Sequence, residues 1–215
     1  MRCRQTGLGL LETLLALALA VLLLTGASRL LLSAHQAWAV QGVAARMHDD
    51  ARLALQRIAE EVRMAGMFGC LRLEPAQFPN AGSAEAFARP ITITGDSLTL
   101  VTADLSGLPG PADWTVLTDC LTWAKVELGQ QMGAAGVLAL PVRQILYEVR
   151  NGGLMFTSAS QRATLIDQVR GLQVTHVEVE QGERLDIELT LHDPRYLLTQ
   201  RHRISVALRN TAGQT

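Results

Sequence analysis

The sequence predicts an α+β protein: one long N-terminal α-helix, its first half suited to a membrane, packed through its second half on an antiparallel β-sheet head. Three observations predict it. An almost unbroken apolar run extends from Leu8 to Ser28, a stripe of apolar residues at spacings of three and four follows, and beyond Arg89 the apolar period shortens to two. The chain of 215 residues has room for one ordinary domain plus an appendage. Its formal charge of −1 supplies no basic face for phosphate binding, so no nucleic-acid partner is expected.

The first element is the apolar run. It follows Met1-Arg2-Cys3-Arg4-Gln5-Thr6-Gly7, and Glu12 is its sole charge before Arg29. As a helix rising about 1.5 Å per residue it reaches roughly 30 Å, the thickness of a bilayer's hydrocarbon core. Arg2 and Arg4 in front place the short leader in the cytoplasm, and everything after Arg29 on the far side of a bacterial inner membrane, as a single-pass protein with a periplasmic head. A conventional secretory signal is the alternative, with Ala16-Leu17-Ala18 or Ala18-Leu19-Ala20 as its cleavage template. Against it, the run continues through Val21, Leu22, Leu23 and Leu24, and Glu12 sits inside it. A carboxylate at membrane depth costs at least a few kcal/mol, so Glu12 asks for a cation.

The second half of the helix carries apolar residues at Val40, Ala44, Met47, Ala51, Ala54, Ile58, Val62 and Ala65, and is expected to continue to about Met67. Its other face, with Arg46, Asp49, Asp50, Arg52, Arg57, Glu60, Glu61 and Arg63, reads as solvated, with Arg46/Asp50 and Arg57/Glu61 at i, i+4 spacing. Gly66, Gly69, Pro75, Pro79 and Gly82 end the helix and mark a loop to about Arg89. Short strands are expected at 91–94, 97–102, 137–140, 144–149, 154–157, 173–179, 185–191 and 203–208, with Asn151-Gly152-Gly153 a hairpin turn.

Gly7-Leu8-Gly9-Leu10-Leu11-Glu12 resembles the type IV prepilin motif: a glycine, the cut, then a glutamate at the fifth mature position. The resemblance implies a leader of residues 1–7, removed after Gly7 by a prepilin peptidase that also methylates the new amine of Leu8. It further implies a transmembrane half-helix over 8–28, an amphipathic half over 29–67 and a periplasmic head over 68–215. Leu8 stands where Phe is usual, Gly9 where Thr or Ser is frequent, and no proline interrupts the helix before Pro75. In a packed bundle of such helices the freed amine at Leu8 of a neighbouring subunit would neutralise Glu12 and set the register of assembly. Arg52-Leu-Ala-Leu55, Glu60-Glu-Val-Arg-Met-Ala-Gly66, Gly69-Cys70 and the closing Val206-Ala-Leu-Arg-Asn210 resemble the PilW-type minor pilins.

With Cys3 lost in the leader, Cys70 and Cys120 remain in the exported part, where an oxidising periplasm favours a disulfide between them over two separate buried thiols. His35, His48, His176, His192 and His202 are scattered, no Cys or His pair has zinc-ligand spacing, and no glycine-rich phosphate loop is present. Neither a catalytic residue nor a metal or other cofactor is therefore expected. The expected role is a non-enzymatic minor pilin that helps initiate or cap a type IV pilus, with the prepilin peptidase, other minor pilins and pilus subunits, and inner-membrane lipid as partners. The alternatives are a type II secretion pseudopilin or a secreted enzyme or binding protein.

Overall fold

A computed structural model describes residues 9–104, 110–159, 161–180 and 182–210. The chain divides into two compact units, residues 1–46 and 47–215. In the first, helix α1 (Leu10–Met64) runs through the apolar segment with its leucines exposed, and it is long and apolar enough to cross a membrane. The hydroxyls of Thr13, Thr25 and Ser33 donate to the carbonyls of Leu10, Leu22 and Leu30 at 2.9 to 3.0 Å. Such back-bonding answers the polar groups within the helix itself, which is what an apolar surrounding requires.

In the second unit the expected stripe is the buried one. Met47, Ala51, Ala54, Ile58, Val62 and Ala65 are buried, and Leu55 and Ala59 widen the contact. Small side chains recur along this face, which lets the sheets approach α1 closely.

The helix stops at Met64, three residues short of expectation, because the sheet captures the chain. Ala65 bridges Thr102, and the N–H of Gly66 donates to the Val101 carbonyl at 3.1 Å with Gly66 at φ +79°. The last helical turn leaves carbonyls without intrahelical donors. Asn210 answers one of them and the carbonyl just past the helix, its Nδ2 lying 3.4 Å from the Arg63 oxygen and 3.3 Å from the Ala65 oxygen.

The expected loop to Arg89 contains a helix. A 3₁₀ turn (Pro75–Gln77) precedes α2 (Ala81–Ala88). Asn80 caps α2, its side chain accepting from the Ser83 N–H at 2.8 Å, and the alanine-rich turn that follows has high helical propensity. Phe87 fixes it in place by burial against Val101, Val116, Val126 and Val142.

Among the described residues ten strands follow: β1 (Ile91–Thr94), β2 (Ser97–Ala103), β3 (Trp114–Thr118), β4 (Ala124–Leu128), β5 (Leu138–Arg150), β6 (Gly153–Ser158), β7 (Gln161–Asp167), β8 (Val169–Val179), β9 (Gly182–Asp193) and β10 (Leu198–Ala207). They form an antiparallel seven-stranded sheet, β1-β2-β5-β3-β4 with β6 and β7 branching from β5, and a three-stranded sheet, β10-β9-β8. The expected strands at 137–140 and 144–149 are one strand of 13 residues. Pro141 does not break it because β5 changes neighbours there: Val142 pairs with Trp114 of β3 on one side and Ala103 of β2 on the other. Asn151 and Gly152, at φ 54° and 76°, make the two-residue turn between β5 and β6 that the sequence marks. Strands β3, β4 and β7 were not expected.

Candidate functional site

Three places in the chain carry the chemistry that the sequence singles out: the Gly7/Leu8 junction, Glu12 and the Cys70–Cys120 pair. Gly7 and Leu8 lie outside the described residues, so the junction itself has no described geometry. Glu12 is exposed in the first turn of α1, among exposed Leu10, Leu11, Leu14 and Leu15, and its carboxylate has no partner among the described residues. A lone carboxylate on an apolar helix is stable in water and costly in lipid, so such a helix is complete only when something brings it a cation.

The disulfide joins Cys70, just after the end of α1, to Cys120, with Cα atoms 5.3 Å apart. Local hydrogen bonding shapes the turn that presents Cys120. The Asp119 carboxylate accepts from the N–H groups of Leu121, Thr122 and Trp123 and from the Thr122 hydroxyl. These donors, the Thr122 side chain first, hold Asp119 well below the usual carboxylate range. The turn is thus built around the Asp119 carboxylate, and it exposes Leu121 beside the cysteine.

The helix face expected to be solvated is not solvated at Glu61. Its side chain is 17% exposed, lies 3.4 Å from Arg57 Nε, and accepts a hydrogen bond from the Tyr147 hydroxyl of β5. Arg57 stacks over the Phe156 ring at 4.5 Å, so both charges of the i, i+4 pair are held by the sheet. Burial raises the Glu61 carboxyl above its ordinary 4.5, with Tyr147 and Arg57 opposing. Burial and then the Glu61 charge push the Tyr147 phenol up, so it remains the donor.

A carboxyl with a raised folded pKa contributes stability that is complete below its unfolded value and lost as the pH rises through the folded one. Glu61→Gln keeps an acceptor for Tyr147 without the charge. The native chain should therefore gain stability relative to Glu61→Gln as the pH falls from about 7 to about 4. Thermal unfolding of both across that range checks this; a difference that does not change with pH would contradict it.

A buried ion pair had no signal in the sequence. Arg143 of β5 and Asp104 after β2 meet at 2.6 Å with side chains 3% and 4% exposed, and Arg143 also donates to the Gly110 carbonyl. The histidines are dispersed among structural contacts: His48 packs on His202, His176 meets Glu183 and His192 meets Thr199. Among the described residues no group of three or more His, Cys, Asp or Glu side chains is placed to hold a metal ion. Fold and site together define an α+β protein with one N-terminal helix able to span a membrane. Comparison with family models, with curated proteins and with solved structures finds no match.

Proposed function

We propose that this chain is a minor-pilin-like subunit, non-enzymatic, that assembles through its N-terminal helix into the initiating or capping complex of a type IV pilus. The observation that carries the reading is Glu12, exposed and unpartnered among the described residues on a helix otherwise uncharged to Ser28. In this reading a prepilin peptidase cuts after Gly7 and methylates Leu8. The new amine of one subunit then answers Glu12 of the next, pairing the two charges at the one depth where neither finds water. A long apolar N-terminal helix with antiparallel sheets is compatible with a pilin-like subunit. A Cys70–Cys120 disulfide suits a head in an oxidising compartment, here the periplasm, with the anchor in the inner membrane. Leader residues 1–7, membrane half-helix 8–28, amphipathic half 29–67 and head 68–215 are the corresponding divisions.

Glu12→Ala tests it. The variant should be processed like the native chain, because the cut precedes Glu12 by several residues, yet its recovery in sheared pili should fall about tenfold or more, as expected if the pair contributes at least about 1.4 kcal/mol. Normal piliation with normal recovery of the variant would contradict the pairing.

A further inference from the structure

Strand β1 is an edge: among the described residues it pairs with β2 and with no other strand. The register places Pro90 opposite Val101, whose N–H donates to the Pro90 carbonyl at 2.7 Å. An antiparallel ladder alternates, so Thr92 and Thr94 turn their N–H and C=O groups toward β2 while Ile91 and Ile93 turn theirs outward. Two donors and two acceptors therefore line a free edge, with no partner among the described residues. Beside them is a groove of about 570 Å³, bounded by Ile91 and Ile93 on one side and by Glu178, Glu183 and Leu185 of the β8–β9 hairpin on the other.

The far wall is electrostatically unfinished. Glu178 and Glu183 are directly opposite each other across the hairpin, an arrangement in which like charges repel. His176 answers Glu183 at 3.0 Å, and Arg89 of the lining is engaged with Glu85 at 3.5 Å. Glu178 has no partner among the described residues.

We infer that β1 accepts an added strand from a partner protein: an extended segment that carries apolar side chains at alternate positions and a lysine or arginine that meets Glu178. The free edge of β1 supplies backbone hydrogen bonds, Ile91, Ile93 and Leu185 supply apolar contact, and the Glu178/Glu183 pair selects the sign of the charge. None of this depends on the pilus reading, since every residue involved belongs to the head.

The probe is a fluorescein-labelled nine-residue peptide of alternating Val and Thr with a central Lys, titrated against the full-length chain in detergent micelles and read by anisotropy. The same peptide with Glu for Lys should bind about tenfold more weakly. Ile93→Pro removes an outward N–H together with one apolar wall of the groove and leaves the β1–β2 ladder its bonds, and it should weaken the Lys peptide about tenfold or more. Glu178→Lys, an exposed change with no bearing on the core, should invert the preference between the two peptides. Equal affinity for both peptides, unaltered binding to Ile93→Pro, or no saturable binding would each overturn the proposal. Self-association abolished by Ile93→Pro would place a second copy at the edge and overturn it equally.

Discussion

Replacing Cys70 and Cys120 together by serine is expected to lower the stability of the head by roughly 4 kcal/mol, the entropy that a crosslink removes from an unfolded loop of this length. The bond spans 50 residues, and the loop it closes contains the 3₁₀ turn, α2 and strands β1 to β3. Phe78 and Phe87 of that loop gather with Phe68, which stands just before Cys70, over β3 and β4, with Phe68 and Phe87 ring centroids 4.3 Å apart. Cys70 ties the start of the loop to the turn that joins those strands, so the small aromatic core beneath α2 depends on it for closure. At about 2 to 4 °C per kcal/mol for a unit of this size, the melting temperature should fall by roughly 8 to 16 °C. Thermal unfolding of the native chain and the double variant in the same detergent reads this directly. A loss under about 1 kcal/mol would mean that the aromatic cluster orders the loop unaided.

The second large effect is expected at Gly66. A Cβ there would stand 2.6 Å from the Asn210 carbonyl oxygen and 3.3 Å from Pro90, and the residue's φ is +79°. Backbone faces that Cβ, so no side chain can swing away, and Gly66→Ala must shift the junction at which α1 hands over to the sheet. A left-handed non-glycine residue and a displaced contact together should cost roughly 2 to 3 kcal/mol. Gly95, at φ +57° in the β1–β2 turn with nothing within 4 Å, is the control. Gly95→Ala carries the conformational cost alone, about 1 kcal/mol. Chemical denaturation of the two variants should separate them; equal losses would show that the Asn210 contact yields without cost.

Most of the helix was legible because its information is local. The three-and-four spacing from Met47 to Ala65 names the buried face of the second unit, and the run to Ser28 names the membrane-competent segment from composition alone. The turn at Asn151-Gly152 was legible because few residue pairs tolerate two positive φ values in succession. The contact of Gly66 with Asn210, 144 positions apart in the chain, is visible only in three dimensions.

What the sequence hid is non-local. Glu61 looked solvated because its partner Tyr147 is 86 residues away, and a carboxylate's burial is decided by what packs over it. The pairing of Arg143 with Asp104 was hidden for the same reason, at a separation of 39. Helix α2 is only 8 residues long, so its two turns show little periodicity, and the Asn80 cap and the alanines after it were the local clues. Strand β4 alternates Ala124, Val126 with Lys125, Glu127, a signal that was present but short. Glu12 needed no structure to be noticed, since a single charge in an apolar run stands out against its surroundings.

The most direct test of the central claim, that this chain is processed and assembled as a prepilin-like subunit, is mass spectrometry of the N-terminus of the mature protein recovered from membranes. The account predicts a chain that starts at Leu8 with a methylated amine. A mature chain that starts at Val21, after Ala18-Leu19-Ala20, would contradict it.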